Sequence, residues 1–248
     1  MTLSNELKQT VKKLRLSGIL STLPERMAYA KQQHLTYAEF LELVMQDEVD
    51  RRLHNQVDNQ MKKAGINPFE TLERYDFDAP VQVDREMIKG LFSLNFIEEK
   101  DNVMLCGPVG VGKTYLANAL AHAAVRRGKK VLMIRAEKLF KKLQQSRADY
   151  SYEKALLGFI TPDMLIIDDF GLKALNEQQS TDFYEIVVER YGRASTVITS
   201  NRDMDEWLEL FHDPILANSA LDRLVHNAYR VIIEGESYRK IKSRKKLI

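Results

Sequence analysis

The sequence predicts an α/β fold: a five-stranded parallel sheet covered by helices, preceded by a small all-helical region. Three observations predict it. From about residue 70, short β-rich runs alternate with helical stretches, the rhythm of strand–helix–strand units whose crossovers leave the strands parallel. Before that point, apolar residues recur at helical spacing with no strand-like run. Between one strand and its helix lies "CGPVGVGKTYL", a glycine-rich loop of the kind that cradles phosphate.

In the helical region, Leu3, Leu7, Val11 and Leu14 fall on one face before Gly18 interrupts. "TLPE" then offers Thr22 as cap, Pro24 in the first turn and Glu25 as the returning carboxylate, and "TYAE" repeats the signal with Thr36 and Glu39. A long helix follows to about Ala64, with Phe40, Leu43, Val44, Leu53, Val57 and Met61 on one side and an exposed charged face opposite. Gly65 and "INPFE" end it, which places the boundary between a helical domain, 1–66, and an α/β domain, 67–248. In the second domain the strands are "NVMLC", "KVLMIR", "MLIID", "TVITS" and "YRVIIE", with helical stretches such as "KTYLANALAHAAVRRG" between most of them. Ligands of such sheets belong at the carboxyl ends of the strands.

The 248 residues are 44% hydrophobic and 29% charged, an ordinary globular composition. No apolar run approaches the ~20 residues of a membrane span, and the start "MTLSNELKQTVKK" has no signal-peptide stretch, so the expected address is the cytoplasm with no membrane contact. The one cysteine, Cys106, excludes internal disulfides and cysteine-rich zinc sites, and its apolar run marks it as a small buried residue. The net charge of +2 is unevenly spread. Residues 1–66 carry ten Lys/Arg against eight Asp/Glu, 235–248 carry six basic residues against Glu236, and 67–234 are left at −5. The basic end suits nucleic acid or a solvated tail.

Gly107, Gly112, Lys113 and Thr114 complete the G-x-x-x-x-G-K-[ST] pattern, with Pro108, Val109, Gly110 and Val111 between. Strand before and helix after make the pattern specific for nucleoside triphosphate. Lys113 would reach the β- and γ-phosphates and the Thr114 hydroxyl would bind Mg²⁺. A strand buried on both faces should not end in carboxylates without a nearby cation, so Asp168 of "MLIIDDF" is the second magnesium residue. Asp169, turned the other way by strand alternation, can face the attacking water, its alternative being a turn residue before "FG".

Four stretches, "GPVGVGKTYLANAL", "LIIDDFG", "STVITSNRDMDEW" and "ALDRLVHNAYRVIIEGESYR", resemble the AAA+ ATPases, and among them the IstB-like and DnaC-like branch. "RLSGILSTLPERM" resembles the IstB-like amino-terminal helices, so the resemblance covers nearly the whole chain. It implies that Asn201 is the sensor positioning the attacking water and Arg223 an arginine finger acting on a neighbouring subunit. It also implies that Arg239 is a second sensor on the γ-phosphate. Most AAA+ members carry Glu where this chain has the shorter Asp169, which implies slow or partner-stimulated hydrolysis, and the nine residues after Arg239 leave room for only a minimal lid.

Three basic stretches are candidates for DNA: 239–246, 138–147, and Lys8, Lys12, Lys13 and Arg15. None suggests base-specific readout, so sequence-tolerant, salt-sensitive duplex binding is expected. The expected function is an ATP-dependent, oligomeric DNA-binding ATPase, ring or spiral, that binds or deforms target DNA and engages a transposase. The alternative is a DnaC-like loader that grips a replicative helicase through residues 1–66. A small-molecule kinase fits less well, because no arginine-lined substrate pocket or closing lid is legible.

Overall fold

The computed structural model of the chain describes residues 3–238. The chain divides into two compact units, Met1–Asn59 and Gln60–Ile248, with the division falling inside a helix.

The first unit contains α1 (Asn5–Lys13), α2 (Ser17–Gln32) and most of α3 (Tyr37–Ala64). Its core is Val11, Ile19, Leu23 and Val44, with Leu3, Leu16, Leu20, Met27 and Phe40 packed around it. The Thr36–Glu39 cap forms as expected: Glu39 Oε2 accepts from the Thr36 N–H at 2.7 Å, and Thr36 Oγ1 accepts from the Glu39 N–H at 3.3 Å. Two expectations fail. Gly18 does not interrupt a helix, and Thr22 does not cap one: α2 runs from Ser17 straight through Pro24. Gly18 instead permits close approach, since a Cβ there would meet Glu48 Oε2 at 2.6 Å, and its N–H donates to that oxygen at 2.7 Å. Burial of Ile19 and Leu23 outweighs the local stop signals, as tertiary packing commonly does. Leu53, read as part of the apolar side of α3, is 57% exposed.

The second unit holds β1 (Val81–Gln82), α4 (Arg85–Leu91), α5 (Asn95–Glu99), β2 (Asn102–Cys106), α6 (Lys113–Arg126), β3 (Val131–Arg135), α7 (Ala136–Ala148), α8 (Tyr152–Ile160), β4 (Met164–Phe170), α9 (Glu177–Arg190), β5 (Ser195–Ser200), α10 (Pro214–Val225), β6 (Ala228–Ile232) and β7 (Glu234–Gly235). The five expected strands form one parallel sheet in the order β3-β4-β5-β2-β6, and β1 and β7 form a separate antiparallel ribbon. Because β2 lies between β5 and β6, the loop leaving β2 and the ends of β4 and β5 converge at the carboxyl edge. Behind that edge Phe170 stacks on Phe183 at 4.6 Å and lies 4.8 Å from Trp207, clamping the end of β4.

At the amino edge, Asn102 ties three elements together, donating to the Leu224 carbonyl at 3.0 Å and accepting from the Thr196 N–H at 2.9 Å. Cys106 is buried, and burial pushes its thiol up to about 11. Among the described residues no helix is long and apolar enough to cross a membrane.

Candidate nucleotide site

β2 ends at Cys106 and the chain turns through Gly107, Gly110 and Gly112, all with positive φ (146°, 90° and 104°). At two of these glycine is also required by space. A Cβ on Gly107 would sit 2.0 Å from the Ile233 carbonyl oxygen, and one on Gly110 would sit 2.2 Å from Ser237 Oγ. The loop is held by Gly107 N–H on the Ser200 carbonyl (3.2 Å) and by the Tyr238 N–H on the Gly110 carbonyl (2.9 Å). Pro108 and Val109 face outward and Val111 is buried beneath. Helix α6 opens directly from Gly112 with no acidic residue in its first turn and no side-chain cap, leaving its partial positive charge for an anion. Lys113 is buried, and its Nζ donates to the Gly107 and Pro108 carbonyls at 2.7 Å each.

Asp168 is 2% exposed at the end of β4. Thr114 Oγ1 donates to its Oδ1 at 2.8 Å and Thr199 Oγ1 donates to the same oxygen at 2.6 Å. Among the described residues both donors fall on Oδ1, so Oδ2 carries no protein donor. A hydroxyl and a carboxylate with an uncommitted oxygen are hard ligands suited to magnesium, which takes one or two protein oxygens and completes its shell with phosphates and water. Thr114 and Asp168 therefore fit the metal expected there.

Asp169 is turned by more than strand alternation. Its φ is +57° and the β4–β5 register slips between Ile167 and Phe170. A non-glycine residue in this region costs on the order of 1–2 kcal/mol, and such strain concentrates at functional positions. The Asp169 N–H donates to Thr199 Oγ1 at 2.9 Å, and its Oδ2 lies 3.8 Å from Arg135 Nε. Thr199 thus bridges both carboxylate residues, a role the sequence reading missed. It reads as one more residue of a β-rich run, and its place beside Asp168 comes from the β4–β5 pairing, a long-range register with no local sequence signature.

Asn201 is exposed and follows Ser200, whose carbonyl holds the loop. Arg223 lies at the other end of the sheet, on the last turn of α10, where its Nη1 donates to the Ser219 carbonyl at 2.7 Å and it shares a small cleft with Asn102 and Thr196. It is separated from the loop of its own chain by the length of β2, about 13 Å. Arg239 and the basic stretch 239–246 lie outside the described residues.

A second feature was not legible in the sequence. Beside Gly112 is a cavity of about 290 Å³ lined by Glu70, Arg74, Tyr75, Asp76, Tyr115 and Tyr238, among others. The Tyr75 and Tyr115 rings are 5.6 Å apart, and the buried Tyr75 hydroxyl has no hydrogen-bond partner among the described residues. Burial raises the Tyr75 phenol, so it stands as a donor.

Sheet order, phosphate loop and paired carboxylates define the class: this is an AAA+ P-loop nucleotide-binding protein. Residues 9–246 match the family of IstB-like ATP binding proteins, and the chain belongs to that family. It is 34% identical over 234 residues to an ATP-binding protein in an insertion sequence of Mycobacterium tuberculosis, covering 94% of this chain and 93% of that one. It is 33% identical over 241 residues to the insertion sequence IS21 ATP-binding protein of Pseudomonas aeruginosa, covering 97% and 91%. Among solved structures, the DnaC helicase loader superposes with a TM-score of 0.56 at 21% identity, over 66% of this chain and 96% of that one. That likeness establishes the fold.

Proposed function

We propose that the protein is an ATP-hydrolysing assembly factor for transposition, which binds duplex DNA as an ATP-dependent homo-oligomer, ring or spiral, and engages a transposase. The observation that carries the reading is the Thr114–Asp168–Thr199 cluster set against a glycine loop that opens into α6. The names of its insertion-sequence relatives support the transposition setting.

In this reading the adenine base enters the Tyr75–Tyr115 cavity and the phosphates lie along residues 107–114. The Lys113 ammonium exchanges its loop carbonyls for β- and γ-phosphate oxygens. The Thr114 hydroxyl and the Asp168 carboxylate would hold magnesium, which when bound would supply positive charge against the charge developing on the phosphates. Asp169 accepts the proton of the water that attacks the γ-phosphorus as the bond to the ADP oxygen breaks, and Asn201 orients that water. Arg223 serves the site of the adjoining protomer, since in its own chain it stands at the far end of the sheet; Arg239 contacts the γ-phosphate. The helical unit, 1–66, supplies a surface for DNA or for the transposase.

Two variants test the shared site. Lys113→Ala abolishes ATP binding, and Arg223→Ala lowers hydrolysis by ~10³-fold while leaving binding intact. Mixing the two restores part of the activity, because an intact finger then meets an intact loop. A mixture that assembles yet stays inactive removes the trans arrangement, and full-affinity ATP binding by Lys113→Ala removes the loop assignment. A helicase loader would instead bind a replicative helicase tightly through residues 1–66 and have no need of duplex DNA.

A further inference from the structure

Helix α7 ends in a turn whose chemistry does not match its sequence. The Ser151 N–H reaches back to the Ser146 carbonyl at 2.8 Å and the Tyr150 N–H to the Arg147 carbonyl at 3.5 Å. This is the bond pair of a Schellman cap, whose left-handed position is usually glycine and sometimes asparagine. Here that position is Tyr150, with φ +59°. Its side chain is 98% exposed, so no packing compensates for the strain. Local folding would be better served by glycine.

The residues on either side are fastened down. Arg147 pairs with the buried Asp182 of α9 and lies 4.0 Å over the Tyr152 ring, and the Tyr152 hydroxyl donates to Glu185 at 2.6 Å. Asp149 Oδ1 accepts from the Ser151 N–H at 3.1 Å, fixing the turn itself. Tyr150 is therefore an aromatic ring held out into solvent on a rigid base. Along the exposed face of α7 behind it run Lys138, Lys141, Lys142 and Gln145 at helical spacing, and Lys154 follows on α8. The acidic neighbours are Glu137, Asp149, which is engaged in the turn, and Glu153. Lys138 lies twelve residues before Tyr150, about 18 Å of helix or about five base-pair steps of one strand.

We infer that Tyr150 is a wedge residue that inserts between base pairs of a duplex held on the α7 lysines, and that it supplies the distortion of target DNA. This rests on the duplex-binding reading above and adds the residue that deforms. Lysines supply sequence-independent phosphate contacts, and an inserted side chain unstacks and kinks the duplex at the step it enters. An aromatic plane suits this because every base presents a face to stack on.

Tyr150→Gly is the decisive variant, because glycine relieves the backbone strain and leaves the fold at least as stable. The assay uses full-length protein, a non-hydrolysable ATP analogue and duplexes carrying 2-aminopurine, with donor and acceptor dyes at the ends. Wild-type protein gives a several-fold fluorescence rise and a shortened end-to-end distance. Tyr150→Gly loses both while its salt slope of binding is unchanged, and Tyr150→Phe keeps both. Replacing Lys138, Lys141 and Lys142 together with Ala lowers the salt slope by about 2 to 3.

Unchanged unstacking and bending in Tyr150→Gly overturns the inference. Loss in Tyr150→Phe overturns it too, by assigning the effect to the hydroxyl. An assembly defect of Tyr150→Gly without DNA, read by mass photometry, makes the ring a protein contact instead and likewise overturns it. Wild-type protein that binds no duplex refutes the duplex-binding reading itself, an outcome distinct from the other three.

Discussion

Arg190, at the end of α9, and Asp168, at the end of β4, are buried charges at opposite edges of one sheet, and their surroundings differ in kind. Arg190, 1% exposed at the amino edge, donates to the carbonyls of Phe159, Ile160, Pro162 and Ser195 and to Thr196 Oγ1. Burial lowers its guanidinium to about 10, still charged at neutral pH. The protein satisfies it from every side, and it joins the chain before β4 to the start of β5. Among the described residues, Asp168 at the carboxyl edge receives two hydroxyls on one oxygen and none on the other. A structural charge is saturated by its own chain, whereas a site charge keeps an open valence for what binds there. That contrast separates scaffold from site without reference to any relative.

The strongest test replaces each charge by a neutral group of similar shape. Asp168→Asn should lower ATP hydrolysis on the order of 10²–10³-fold, the usual scale for losing one electrostatic contact to a transition state. Its melting temperature should hold or rise, as when a destabilising site group is removed. Steady-state phosphate release and a thermal melt check both halves. A collapse of the fold in Asp168→Asn would erase the contrast.

Arg190→Met should do the opposite. It leaves five oxygens at the amino edge short of a donor and should cost about 3–5 kcal/mol of stability, in line with other buried charge deletions. Urea unfolding measures this. Nucleotide affinity of the folded fraction should be unchanged; a large loss there would mean the amino edge is coupled to the site.

The same contrast explains what the sequence could disclose. Residues 107–114 and Asp168 were legible because phosphate chemistry fixes residue types at short spacing, and the five strands because their apolar runs are bounded by turns. Thr199 was not, since its meeting with Asp168 depends on β4 and β5 being paired neighbours in a particular register, which no local pattern reveals. Tyr75 precedes the loop by more than thirty residues and reaches it only through tertiary folding. In α2 the local signals misled: Gly18 and Thr22–Pro24 read as helix punctuation, yet Gly18 is there to admit Glu48.

Thr199→Val sharpens the comparison at smaller scale. It removes one of the two donors to Asp168 and the acceptor for the Asp169 N–H while preserving shape. The expected loss is about 1–2 kcal/mol of stability and, because Asp169 is freed to relax, a larger fall in kcat than in ATP affinity. Single-turnover kinetics beside equilibrium binding distinguish the two. Equal loss in both would make Thr199 a packing residue only.

The smallest effect concerns the buried carboxylate of the amino-terminal unit. Glu48, like Arg190, is saturated. Burial pushes its carboxyl up, but Arg52 at 2.8 Å, the Gly18 N–H at 2.7 Å and Arg51 together outweigh burial and hold it below its ordinary 4.5. A carboxylate depressed by folding adds stability that is complete above its unfolded value and fades as pH falls through its folded value. The helical unit should therefore loosen on acidification below about 4.5. The effect is modest, because Arg51 and Arg52 are themselves well exposed and screened. Amide exchange of residues 17–53 across pH 3–6 should follow this course in the wild type and flatten in Glu48→Gln. If the wild type proves as flat as the variant, Glu48 contributes nothing as a charge, and saturation would no longer mark a structural ion in this protein.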